Sequence, residues 1–200
     1  GVKTHLILLP LLLLPFGAEI SANEEPLAAA SVITMAAVGD IMMGTDYPSP
    51  KLPKWDGRFL FEEAKGFLRK ADIVFGNLEG PLTDEDTPAK KGRDKESYIF
   101  RTPPGYVKHL VDAGFNVVSL ANNHAGDFGE KGMSSTKKVL DGAGIKYSSK
   151  AGEVAEFEIN GLKLGLAAFS FGPPPRSIVY PEEALLEIGL LSKRYDLLIL

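Results

Sequence analysis

The chain contains no cysteine among its 200 residues. That excludes disulfides, thiolate metal sites, iron–sulfur clusters, a cysteine nucleophile and a lipid-modified N-terminal cysteine. Histidine is nearly absent too, with only His5, His109 and His124. Any metal site must therefore draw on Asp, Glu, Asn and at most a few imidazoles. Basic excess is lacking: 22 Lys and Arg stand against 26 Asp and Glu, a formal charge of −4. A mildly acidic chain without a dense basic cluster argues against nucleic acid as a partner. No G-x-S-x-G, P-loop or G-x-G-x-x-G pattern is present, so those nucleophile and nucleotide chemistries have no sequence support. Apolar residues at 44% and charged residues at 24% remain those of a globular chain, not a disordered, collagen-like or coiled-coil one.

One long apolar run exists, LILLPLLLLPF at residues 6–16, preceded by Lys3. A basic start, a short apolar stretch and then small residues read as a secretory signal over residues 1–22, with Ala22 the last residue removed. The run falls short of the roughly 20 residues a spanning helix needs, and Pro10 and Pro15 interrupt it. An uncleaved anchor is the alternative. Both place the domain outside the cytoplasmic membrane. Residues 23–31 read as a linker, and residues 32–200 as the folded part.

Short apolar runs alternate with amphipathic stretches from residue 32 onward. Strands are expected at 32–38, 72–75, 116–120, 145–147 and 196–200, and helices at 59–70, from Pro103 to about Ala113, at 129–142 and at 181–193. Within the helix at 59–70, Phe59, Leu60, Ala64, Phe67 and Leu68 share one broad face. Asn160-Gly161 between two alternating runs predicts a β-hairpin with a type I′ turn. Residues 84–97 and Pro173–Pro175 read as loops. This order predicts an α/β fold, mostly parallel, with helices on both faces of the sheet. The last expected strand lies at the very end of the sequence, so a C-terminally truncated domain is expected.

Three of the predicted strands end in small and metal-competent residues: Gly39-Asp40, Gly76-Asn77-Leu78-Glu79-Gly80, and Asn122-Asn123-His124. Strand C-termini form the crevice of open α/β sheets, so Asp40, Glu79, Asn123 and His124 are expected on one rim. Carboxylates, an amide oxygen and an imidazole suit Mn²⁺, Fe, Zn²⁺ or Mg²⁺. Two such ions about 4 Å apart would activate water and stabilise a phosphoryl transition state, with Glu79 as the simplest bridge. Asn77 and Asn122 are candidate substrate contacts. Each residue also has a plainer reading: Gly39-Asp40 as a turn and helix cap, Asn77 as a turn residue, Glu79 as a solvated loop carboxylate. Asp127 reads as the cap of the helix opening near Gly129. Met42 and Met43 read as packing, and His109 as structural or exposed. Asp84, Glu85 and Asp86 read as a solvated acidic run, and Lys90, Lys91, Arg93, Lys95 and Arg101 as a solvated basic loop.

AVGDIMMG (Ala37–Gly44), ADIVFGNLEGPLT (Ala71–Thr83) and NVVSLANNHAGDFGEKGMSST (Asn116–Thr136) resemble the bacterial capsule-synthesis proteins of the CapA type. Those are also called poly-γ-glutamate or polyglutamine synthesis accessory proteins. The resemblance covers most of residues 32–200. It implies a calcineurin-like metallophosphoesterase fold, a β-sandwich flanked by helices in four α/β/β/α layers. It further implies Asp40, Glu79 and Asn123 as ligands of a divalent metal, possibly dinuclear, and His124 as the catalytic group that stabilises a phosphoryl group or protonates a leaving group. An anionic polymer or phosphoester would be the substrate, and a membrane-bound polymer synthase complex the partner. Two positions depart from the superfamily pattern: Met42 replaces a histidine, and Glu79 stands where an aspartate is usual. The family's later histidine motifs are not found within these 200 residues. The resemblance therefore leaves two functions open, capsule-polymer accessory protein and metal-dependent phosphoesterase. A third is a non-catalytic surface binding module.

Overall fold

A computed structural model describes residues 32–89, 98–171, 177–179 and 181–200. Residues 1–31, read above as a signal and a linker, most of the basic loop and the Pro173–Pro175 run lie outside the described residues. Among the described residues, seven strands and four α-helices follow one another: β1 Met35–Ile41, α1 Lys65–Leu68, β2 Ile73–Leu78, α2 Val107–Ala113, β3 Val117–Ser119, α3 Gly129–Gly142, β4 Lys146–Ser148, β5 Ala155–Ile159, β6 Leu162–Leu166, α4 Pro181–Leu191 and β7 Leu197–Ile199. β1 to β4 form a parallel sheet in sequence order. β5, β6 and β7 form a second sheet, antiparallel between β5 and β6 and parallel between β6 and β7. The architecture is thus mixed α/β, as expected, and its strands form two sheets, a division that the apolar periodicity does not give and the family resemblance implies.

Burial shows how the first sheet is covered. On one face, Val74, Leu78 and Val118 of β2 and β3 pack with Leu68, Leu110, Ala113 and Leu140 of the first three helices. On the other, Ile73 and Val117 pack with Ala155, Leu164 and Leu166 of the second sheet. Successive strand residues point to opposite faces, so Ile73 and Val74 serve different cores. Ala167, Leu191 and Tyr195 form a third cluster. The second face of the parallel sheet is therefore covered by strands, where helices on both faces were expected. The apolar alternation of β5 and β6 is what an antiparallel pair with one buried side requires.

Two further expectations change. The helix at 59–70 shrinks to Lys65–Leu68. Its first half is a run of i→i+3 turns, including Leu60 N–H to Gly57 C=O at 2.9 Å and Ala64 N–H to Phe61 C=O at 3.0 Å. Trp55, Asp56 and Gly57, all at positive φ just upstream, bring the chain in by a path that no regular helix continues. Phe59 and Phe67 consequently stay exposed, while Phe61 packs edge-on against Phe115 at 5.4 Å. Second, β1 runs through Gly39-Asp40 to Ile41, and β2 runs to Leu78. The pairs Asp40↔Asn77 and Ile41↔Leu78 resume after a register shift between Ala37 and Asp40. Such a bulge re-aims side chains at a strand end. The Asn-Gly hairpin forms as predicted, with φ of 54° at Asn160 and 76° at Gly161. His109 is buried edge-on against Tyr106 at 5.1 Å, and Met43 is buried while Met42 is partly exposed.

Gly76 is the tightest point between β1 and β2. A Cβ there would overlap the Ile41 side chain and lie 2.9 Å from Val38 Cγ2. Gly76→Ala is therefore expected to lower unfolding stability by about 2 kcal/mol, whereas Gly66→Ala, which meets nothing within 4 Å, leaves it unchanged or higher. Urea titrations of the two variants check this contrast.

Lys137 of α3 forms an ion pair with Glu153 at 2.6 Å, both groups being largely buried. Burial raises the Glu153 carboxyl, but the hydrogen bond and charge of Lys137, with Ser149 and Lys150, carry it below its ordinary value. A carboxyl depressed in the folded state stabilises above its unfolded pKa, about 4.3. That stability is lost as pH falls through the lower folded value. Melting temperatures between about pH 2 and 6 should therefore fall less steeply with acid in Lys137→Met than in the wild type.

Candidate active site

The site grows from three parallel strand ends. β1 delivers Asp40, β2 delivers Asn77 and, one residue beyond its end, Glu79, and the turn after β3 delivers Asn122, Asn123 and His124. Glu79 N–H donates to Ile41 C=O at 3.1 Å, which extends the β1–β2 ladder to the point where the carboxylate emerges. The Nδ2 group of Asn77 donates to Asp40 Oδ1 and to Glu79 Oε2, each at 2.8 Å. Two carboxylates thus share one amide nitrogen.

Asn122 joins the second strand end to the third. Its Nδ2 donates to Asn77 Oδ1 at 3.0 Å and to Leu78 C=O at 2.9 Å. Its Oδ1 accepts from the backbone N–H groups of His124 at 3.0 Å and Ala125 at 2.8 Å. Asn77 and Asn122, expected as substrate contacts, hold the rim together; Asn122 borders a neighbouring cleft.

His124 is buried, and its Nδ1 lies 2.8 Å from Asp127 Oδ2. That same oxygen accepts from Phe100 N–H at 2.8 Å. A carboxylate only accepts, so Nδ1 carries the hydrogen and Nε2 turns toward the rim, 3.9 Å from Glu79 Oε1. The Phe100 ring lies against the imidazole at a centroid distance of 4.2 Å. Asp127 is 0% exposed. It does not cap the following helix: the cap position of α3 is Phe128, and no side chain bonds there. This corrects the helix-cap expectation. The correct partner was three residues away in the sequence, a spacing that a cap and a turn both allow.

The Glu79 carboxyl is pushed up from its ordinary range by burial and then by the charge of Asp40, against the opposing effects of His124 and Asn77. Two oxygen-donor carboxylates under mutual repulsion fit a hard divalent ion. Asn123 is exposed and borders the same cleft as Asn122, whose lining includes neither Asp40 nor Glu79. Among the described residues, no three His, Cys, Asp or Glu side chains converge closely enough to hold a metal ion. Asp40 and Glu79 therefore stand as a pair of carboxylates joined through Asn77. Asp86 in the acidic run stays exposed, as expected, while Arg101, expected in a solvated basic loop, is mostly buried and pairs with Asp46 at 2.7 Å and Asp86 at 2.8 Å.

The family model described as bacterial capsule synthesis protein PGA_cap matches residues 34–184. The chain belongs to this capsule-synthesis family. Its relatives include the capsule biosynthesis protein CapA of Bacillus anthracis, 30% identical over 174 residues, which cover 84% of this chain and 41% of the relative. The PGA biosynthesis protein CapA of Bacillus subtilis (strain 168) is 34% identical over 146 residues, covering 70% of this chain and 37% of that protein. A probable polyglutamine synthesis accessory protein of Mycobacterium tuberculosis is 31% identical over 144 residues, covering 58% and 38%. This member of the capsule-synthesis family thus spans about two fifths of the length of the relatives it matches.

Within this member, Asn122→Ala should cost about 3 kcal/mol, because it leaves polar groups on two segments, the end of β2 and the turn after β3, without their partner. Asp127→Asn should cost less in stability. It should nevertheless move the imidazole nitrogen shifts of His124 away from the Nδ1–H tautomer, as read by long-range ¹H–¹⁵N correlation. An unchanged tautomer in Asp127→Asn would show that the carboxylate does not set the ring.

Proposed function

We propose that this chain belongs to an extracytoplasmic accessory protein for the synthesis, export or anchoring of an anionic capsule polymer such as poly-γ-glutamate, acting with a membrane-bound polymer synthase complex. We further propose a metallophosphoesterase-like site at Asp40, Glu79, Asn123 and His124, with Asn77 and Asn122 at its border. One observation carries the reading. The three sequence blocks that mark the family end at a single hydrogen-bonded rim, linked through Asn77 and Asn122. Capsule and poly-γ-glutamate enter through the names of the relatives. The extracytoplasmic placement rests on the apolar run at residues 6–16. Among the described residues no helix is long and apolar enough to cross a membrane.

The fold detail adopted with this reading is the four-layer α/β/β/α sandwich, which the three successive core clusters support. In it, Asp40 and Glu79 would hold a divalent ion together with Asn123 and with ligands beyond the described residues. When bound, such an ion would lower the pKa of a water and offset phosphoryl charge. The chain's own groups do the rest. Asn77 fixes the spacing of the two carboxylates. Asp127 fixes the imidazole through Nδ1–H, so His124 would turn Nε2 to the ligand as a hydrogen-bond acceptor in that tautomer and as a proton donor only when the ring is doubly protonated.

Deleting the gene should abolish extracellular γ-linked glutamate. Complementation with Asp40→Ala or His124→Ala, expressed at wild-type level, should fail to restore it. Purified intact protein with added Mn²⁺ should hydrolyse a phosphodiester, and each variant should lose at least about a hundredfold in rate. Unchanged polymer after deletion would remove the capsule role. Full turnover by both variants would remove the site.

A further inference from the structure

Beside the rim lies a cleft of about 620 Å³ that the family blocks leave without a role. The loop after β1 builds one wall with Met42, Tyr47 and Lys51, and Tyr98, Ile99 and Phe100 build the other. The two walls are tied by backbone and hydroxyl bonds. Arg101 N–H donates to Thr45 Oγ1 at 2.9 Å, Thr102 Oγ1 donates to Gly44 C=O at 2.7 Å, and Asp46 N–H donates to Arg101 C=O at 2.9 Å. Tyr47 stands edge-on against Phe128 at 5.3 Å, with the Arg101 guanidinium 5.6 Å from its ring. These contacts fix the cleft before any ligand arrives, which spares a ligand the cost of ordering it.

The aromatic surface steps outward from the reactive imidazole. Phe100 lies on His124 at 4.2 Å, and Tyr98 stacks on Phe100 at 6.2 Å with an interplanar angle of 28°. Tyr98 is nevertheless 68% exposed, so one face of a large ring beside the rim is open to solvent. Lys51 is the one charged residue lining the cleft, and among the described residues its ammonium forms no ion pair. Open aromatic faces bind flat apolar ring faces, and a lone ammonium favours a ligand with negative charge nearby.

We infer that this cleft is a subsite for a ring, so that the ligand of the rim is a ring-bearing phosphoester whose ring lies on Tyr98 and Phe100 while its anionic group reaches His124 and Lys51. The inference rests on the reading that the rim receives a phosphoryl group. A sugar and an aryl group both present the required ring face.

Calorimetric titration of the intact protein in Mn²⁺ separates the possibilities with methyl phosphate, phenyl phosphate and glucose 1-phosphate as probes. At least one ring-bearing probe should bind about tenfold tighter than methyl phosphate. A gain with phenyl phosphate alone identifies an aryl ligand, and a gain with glucose 1-phosphate alone identifies a sugar. Tyr98→Ala, at an exposed position that should not disturb folding, should erase the gain and leave methyl phosphate unchanged; Tyr98→Phe should keep it. Equal affinity for all three probes, or a gain that survives Tyr98→Ala, would overturn the inference and leave the phosphoryl reading intact. Should no phosphate probe bind while phenol or methyl glucoside binds in a Tyr98-dependent way, the cleft retains its ring preference and the phosphoryl reading fails.

Discussion

The carboxamide of Asn122 is saturated, and the site depends on that saturation. An amide offers two donor hydrogens and two acceptor lone pairs. Asn122 spends its donors on Asn77 Oδ1 and Leu78 C=O, and its acceptor oxygen on His124 N–H and Ala125 N–H. It thereby locks the end of β2 to the turn after β3. Aspartate would lack the donors and bring a third negative charge to the rim. Alanine would leave groups on both segments without partners. Asn77 repeats the logic one strand away, donating twice to carboxylates and accepting once from Asn122. Two amides in series therefore carry positional information across three parallel strands, and each works only because the backbone register brings the strand ends level.

Register in turn depends on packing. Gly76 lets Ile41 and Val38 of β1 close onto β2, and the shift between Ala37 and Asp40 sets which residue of β1 faces Asn77. A slip of one residue would send Asp40 to the opposite face. The two-sided burial of β2 and β3 resists such a slip, since alternate residues are committed to different cores.

Much of this was legible in the sequence because the signals are local. The hairpin follows from Asn160-Gly161, whose positive φ values few other pairs adopt. The helix from Val107 to Ala113 and that from Gly129 to Gly142 follow from apolar spacing and flanking Pro and Gly. The gathering of Asp40, Glu79 and His124 follows from parallel strand order. What failed is non-local. The division into two sheets was expected only through the family resemblance, because it depends on which strands pair and short apolar runs do not encode it. The apolar face of residues 59–70 was misread because Phe61, not Phe59 or Phe67, finds the pocket beside Phe115. Asp127 was misread because an acidic residue just before a helix fits a cap. The side chain's true neighbours, His124 and Phe100, differ by 24 positions in the chain. Tyr98 and Phe100 gave no sequence signal, since aromatic residues in a loop are ordinary until a fold sets them against an imidazole.

The two halves of the rim are built differently. On the imidazole side every group is held: Asp127 is fully buried, its Oδ2 receives both His124 and Phe100, and the Phe100 ring covers the imidazole. That half would keep its geometry without a ligand. On the carboxylate side the protein does the reverse. It sets Asp40 and Glu79 on one amide and lets burial and like charge push the Glu79 carboxyl up. Two carboxylates held on one amide nitrogen repel each other, and the shared Asn77 donor offsets part of that repulsion. The rim thus sets a firmly held imidazole beside a pair of like-charged carboxylates.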